Sequence, residues 1–105
     1  MRHQTYALPI PTVDGTRGAS VKLNDLTAAA VYVHQSGVMN VSLKVQAKAQ
    51  LDVGAHDNWV DLDTITNANK LVQIPNGYTH VAIFRTSATS SGVAAVVTGK
   101  NARSE

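Results

Sequence analysis

Met39-Asn40-Val41-Ser42-Leu43-Lys44-Val45-Gln46-Ala47-Lys48-Ala49-Gln50 is the stretch on which the fold class turns. Met39, Val41, Leu43, Val45, Ala47 and Ala49 alternate with Asn40, Ser42, Lys44, Gln46, Lys48 and Gln50. Side chains on a β-strand point to opposite faces at successive residues, so this period sends one set into a core and the other into water. A helix of the same length would show a 3.6-residue period, and no segment of the chain sustains one.

Outward from that strand the same pattern recurs in shorter pieces, separated by turn residues at the spacing of a sandwich or barrel. Downstream, the loop Val53-Gly54-Ala55-His56-Asp57-Asn58 leads into a strand over Trp59–Asp63 and a short run around Ile65. A strand at Lys70–Ile74 ends at Pro75-Asn76-Gly77, a strong turn signal. Strands over Tyr78–Thr86 and Val93–Thr98 follow, joined by a Ser/Thr/Gly loop. Upstream, Ala19–Leu23 and Ala28–Gln35 read as strands. The alanines near Leu26 suggest a helix, but Val31, Tyr32 and Val33 favour β structure. Seven or eight strands in two packed antiparallel sheets form an all-β sandwich over residues 19–99. Residues 1–18 read as an extended arm, because Leu8-Pro9-Ile10-Pro11 has two fixed φ angles and lacks two donors. Residues 100–105 read as a polar tail.

The last two strands break the one-sided pattern. Val81 and Ile83 lie on one face of Tyr78–Thr86, with Tyr78, Ala82 and Phe84 on the other, and Val93-Ala94-Ala95-Val96-Val97 is apolar on both. Strands that are apolar on both faces are normally covered on both. Two thin sheets from one chain of this length leave a second face open, so the arm or another subunit is expected to cover it.

Composition narrows the function classes. The 105 residues suit one domain with one core. Aromatic residues make up only 5%, against 44% hydrophobic overall, so aliphatic side chains and alanine must build the core. A net charge of +2 without a basic cluster does not point to nucleic acid. Lys44 and Lys48, on the polar side of the long strand, lack the interleaved aromatics of a single-strand platform. With no cysteine there is neither a disulfide nor a thiolate metal site. Met1–Tyr6 lacks the apolar run of a signal peptide, and no stretch reaches the ~18 apolar residues of a spanning helix, so no membrane partner is expected.

No catalytic constellation emerges. The histidines at 3, 34, 56 and 80 lack metal-ligand spacing. His34 and His80 could meet across paired strands; otherwise each is a surface or interface residue. No Gly-x-Ser-x-Gly elbow is present. Asp61 and Asp63 share one face of a presumed strand and are expected to face solvent rather than act as paired catalytic carboxylates. Asp52, Asp57, Asn58 and Asp61 offer oxygen ligands for calcium, but their spacing fits no EF-hand loop. Gly15 and Gly18 precede no helix that could cradle phosphate. Trp59 is expected to cap one end of the core, given the area a tryptophan buries. No catalytic, cofactor-binding or metal-binding residue is assigned, and no cofactor is expected.

Several elements taken together resemble the small virion proteins of tailed bacteriophages. They are the strand Val41-Ser42-Leu43-Lys44-Val45-Gln46-Ala47, Asn58-Trp59-Val60-Asp61-Leu62, Ile74-Pro75-Asn76-Gly77-Tyr78, Val81-Ala82-Ile83-Phe84-Arg85 and the closing Val93–Gly99. The resemblance spans Val41 to Thr98 and departs in the longer loop before Trp59. It implies a jelly-roll-like β-sandwich serving as capsid decoration, cement or head-fibre protein. The place implied is the virion, assembled in the host cytoplasm, and the partners are the major capsid protein or other virion proteins. The chain would work as a homo-oligomer, with a trimer at a lattice three-fold the first expectation. Tyr6, Leu8, Ile10, Val13, Tyr78, Ala82, Phe84 and Arg85 are the expected interface residues. The alternative is a carbohydrate-binding or receptor-binding sandwich, which needs an exposed aromatic platform.

Overall fold

A computed structural model describes residues 3–23, 26–35, 41–49, 59–66, 70–88 and 93–101. They form nine strands: β1 (His3–Leu8), β2 (Thr16–Arg17), β3 (Val21–Lys22), β4 (Leu26–Gln35), β5 (Val41–Lys48), β6 (Val60–Thr66), β7 (Lys70–Gln73), β8 (His80–Ala88) and β9 (Val93–Asn101). One sheet has the order β1-β9-β4-β7. The other has β2-β8-β5-β6, with β3 on the same edge of β8 as β2. All pairings are antiparallel.

This order is that of a jelly roll. The chain folds back on itself as one long ribbon, in which β5 pairs β6, β4 pairs β7, β2 and β3 pair β8, and β1 pairs β9. Wrapping the ribbon brings β9 beside β4 and β8 beside β5, which completes the two sheets. Since β2 and β3 are two pieces of one broken edge, the nine segments occupy eight strand positions, within the seven or eight expected, although that expectation did not include β1.

The core lies between the sheets. Val31 and Val33 of β4 and Val97 of β9 meet Leu43 and Val45 of β5, Ile65 of β6 and Val81 and Ile83 of β8, all almost wholly buried. The alternation holds for the inward set of β5, since Val41, Leu43, Val45 and Ala47 are buried. Gln46 on the other side is buried as well, Ala49 is exposed past the strand end, and Met39, Asn40 and Gln50 lie outside the described residues. Trp59–Asp63 and the run around Ile65 are not separate. Val60 to Thr66 form the single strand β6, with Trp59 just before it, bent where its register against β5 shifts between Val45 and Gln46. A second bulge, between Thr27 and Ala30 of β4, places Ala28 at a φ of 51° in the left-handed region.

The expected arm needs correction. His3–Leu8 is a full edge strand, in register with β9 from His3↔Lys100 to Leu8↔Ala95, so the sandwich begins at residue 3 rather than 19. The prolines at 9 and 11 mark where the chain leaves one sheet for the other, not a free extension. β9 likewise runs on to Asn101, into the polar tail expected at residues 100–105. Gly18 is required at the break between β2 and β3. Its N–H donates to the Ile83 carbonyl at 2.8 Å, and an added Cβ would run into the Pro9 carbonyl oxygen.

Gly18→Ala should therefore lower stability by about 1–3 kcal/mol, since backbone has to move to make room. Leu43→Ala, which empties the centre of the core, should cost about 2–5 kcal/mol. Urea midpoints at constant slope would measure both.

Candidate functional site

The two outer faces of the sandwich differ in chemistry. On the β2-β8-β5-β6 sheet, residues of β8 and β5 that point away from the core are His80, Ala82 and Phe84 beside Lys48, Gln46 and Lys44. Arg17 of β2 stands opposite Phe84, and Lys22 of β3 opposite His80. Gln46 uses both ends of its amide. Its carbonyl accepts from Arg17 Nε at 2.8 Å, and its Nε2 donates to Asp61 Oδ1 at 2.6 Å. Lys44 Nζ reaches Asp61 Oδ2 at 3.4 Å. The Gln46 hydrogen bond, helped by the charges of Lys44 and Arg17, holds the Asp61 carboxyl below its usual range. Asp63 is held low in the same sense by Lys70 at 2.8 Å and by the Thr64 N–H.

Trp59 belongs to this polar face and not to the core. The Arg17 guanidinium carbon lies 4.5 Å from the indole centroid and Lys48 Nζ lies 5.0 Å from it. Lys44 Nζ stands 6.0 Å over the ring of Phe84. Cations over indole and phenyl faces gain from the ring quadrupole. The expected core-capping role is thereby replaced, because the bulge in β6 and the charged neighbours turn Trp59 outward.

The outer face of the β1-β9-β4-β7 sheet carries one apolar row, beside a more polar row of Thr5, Thr98, Ala30 and Gln73. Register places Ala7, Val96, Tyr32 and Leu71 side by side, one from each strand. At the spacing of neighbouring strands this row runs roughly 14 Å across the sheet. Leu71 is 55% exposed and Tyr32 38%. Tyr32 stacks on His34 with ring centroids 5.3 Å apart, and Ala94 lies opposite His34.

The two-faced strands of the sequence thus meet different fates, because β8 and β9 fall in different sheets. Ala82, on the outer side of β8, is fully buried among the polar side chains of its own face, and Phe84 is half-buried. Val96 and Ala94, on the outer side of β9, stay half-exposed beside Tyr32 and Leu71. The expected interface residues scatter accordingly. Leu8 is buried in the core, and Ile10 and Tyr78 pack against it. Arg85 donates to Asp14 Oδ1 at 2.6 Å and to the Pro11 carbonyl at 3.3 Å, pinning the β1–β2 connection. Tyr6 and Val13 remain exposed. Tyr32 and Leu71 were not singled out from sequence, although each is an apolar residue at an outward position of its strand.

His34 and His80 do not meet, since they lie on outer faces of opposite sheets. Among the described residues no three His, Cys, Asp or Glu side chains come together as metal ligands, and Asp52, Asp57 and Asn58 lie outside the described residues. The sequence matches no protein-family model, and neither a curated protein nor a solved structure matches it.

His80 is buried to 8% exposure, with Thr79 Oγ1 2.7 Å from its Nδ1 and Lys48 and Lys22 opposite it on the flanking strands. Burial, then the charges of Lys48 and Lys22, push its pKa below the ordinary 6.5. The unfolded chain then binds the proton more readily. Stability should be full above pH 6.5 and fall as pH drops from there toward the folded-state pKa. His80→Gln should flatten that slope in melting curves taken across the window, before the lowered Asp61 and Asp63 begin to protonate. Trp59→Ala should leave the chain folded and cost on the order of 1 kcal/mol, the scale of exposed cation–π contacts, rather than the roughly 3–5 kcal/mol of an emptied core site.

Proposed function

We propose that this chain is a structural, non-enzymatic virion protein of a tailed bacteriophage, a capsid decoration protein that binds the head lattice as an oligomer. The observation that carries this reading is the exposed apolar row Ala7–Val96–Tyr32–Leu71 on one outer face of the sandwich. A contiguous apolar row left in water across a sheet face marks a place for a partner. Further support comes from the strand order, since jelly rolls are a common architecture of capsid domains, though lectins share it. The resemblance of Val41–Thr98 to phage virion sandwiches points the same way.

In this role the sandwich is a rigid wedge. It adds buried area across the boundary between neighbouring capsid subunits, and stable contacts of this kind bury ~1,200–2,000 Å². Each docked copy is weak alone, but an oligomer engaging several lattice sites at once gains by effective concentration. The opposite face, with Arg17, Lys22, Lys44 and Lys48 around Asp61, stays hydrated and keeps the decorated particle dispersed.

Co-sedimentation with purified heads tests the reading. The wild-type chain should pellet with heads, and a Tyr32→Asp/Leu71→Asp variant should lose binding by at least about tenfold, with its melting temperature held, because both side chains are exposed. A wild-type chain that stays in the supernatant at every ratio overturns the proposal.

A further inference from the structure

We propose that two copies of this chain join through β1, edge to edge and antiparallel, making one continuous eight-stranded sheet. This pairing does not depend on the virion reading. Every open sandwich has four sheet edges, and an exposed edge is a row of unpaired N–H and C=O groups ready to accept another strand. Three of the four are blunted here. The β2/β3 edge is broken into two pieces of two residues each, either side of Gly18. The β6 edge bends at its bulge and carries Asp61 and Asp63. The β7 edge is four residues long and opens on Lys70.

β1 has none of these devices. His3-Gln4-Thr5-Tyr6-Ala7-Leu8 contains no Lys, Arg, Asp, Glu or Pro, and its register with β9 runs without interruption over all six residues. Among the described residues its backbone pairs with β9 alone. Thr5, Tyr6 and Ala7 are exposed. Tyr6, at 43% exposure, overhangs the edge on the core side, where its hydroxyl donates to Gln4 Oε1.

A second copy fits this edge better than a foreign segment for two reasons. An antiparallel pair about a two-fold axis normal to the sheet opposes residues of the same face, so outer residues meet outer residues and the contact is self-complementary. The apolar row also ends at β1, on Ala7. A second copy extends that apolar row into an equal one across the two-fold axis. The smallest assembly is then a dimer, where the sequence led us to expect a trimer.

The test is sedimentation equilibrium of the full chain, with backbone amide exchange at residues 3–8 measured at high and low protein concentration. The wild-type chain should be dimeric, with amides of β1 protected in a concentration-dependent way. In Thr5→Lys/Ala7→Lys, every same-face register centred on residues 5 to 7 opposes like charges, and the dimer should weaken by tenfold or more on the order of magnitude of two such pairs. Both sites are exposed, so an unchanged melt of the monomer shows that folding is intact. The Tyr32→Asp/Leu71→Asp variant should remain dimeric, which separates this edge from the head-binding face. A monomeric wild-type chain at all concentrations overturns the proposal. So does a dimer that survives the two lysines, or one dissolved by the face variant alone, with β1 amides exchanging at one rate throughout.

Discussion

Burial of alternate aliphatic side chains between two sheets is the constraint from which the remaining features follow. Leu43, Val45, Val81 and Ile83 on one sheet, with Val31, Val33 and Val97 on the other, are completely removed from water. Each such side chain contributes ~1.5–3 kcal/mol relative to exposure, and among the described residues the fully buried set is aliphatic, with Tyr78 packed at its margin. Because the inward set is dictated residue by residue, a one-residue slip in β5 or β8 would turn the whole set outward. The register of the central pair is therefore the least negotiable feature of the molecule. The ribbon of paired strands wraps around it.

What lies outside that layer is free to differ between the two faces, and it does. One face ties Gln46, Asp61, Lys44 and Arg17 into a hydrogen-bonded network and sets cations over Trp59 and Phe84. Such a surface satisfies itself. The other face presents valine, alanine, tyrosine and leucine in a line, with the Tyr32–His34 stack and the Thr5–Thr98 hydrogen bond beside it. The proposed assembly role draws on this asymmetry. The β1 edge adds a direction of growth within the sheet, at right angles to docking on its face.

The sandwich and the existence of most strands were legible in the sequence, since a period of two and the turn at Pro75-Asn76-Gly77 are local signals. The surfaces were less so. Leu8, Ile10 and Tyr78 look like binding residues when the N-terminal stretch is read as an arm. Once β1 is seen to be an edge strand, they belong to the interior. Trp59 looks like a core residue by size, and only the placement of Arg17 forty-two positions earlier gives it a partner outside.

Sequence alone determined the all-β class, the inward set of β5 and the absence of thiol chemistry, because each rests on residue identity and neighbours along the chain. Tertiary structure decided which strands share a sheet. Two consecutive strands with the same two-faced composition, β8 and β9, parted into different sheets. One had its outer side sealed and the other did not. That outcome depends on which strands lie beside each in space, and a periodicity along the chain carries no information about neighbours across a sheet.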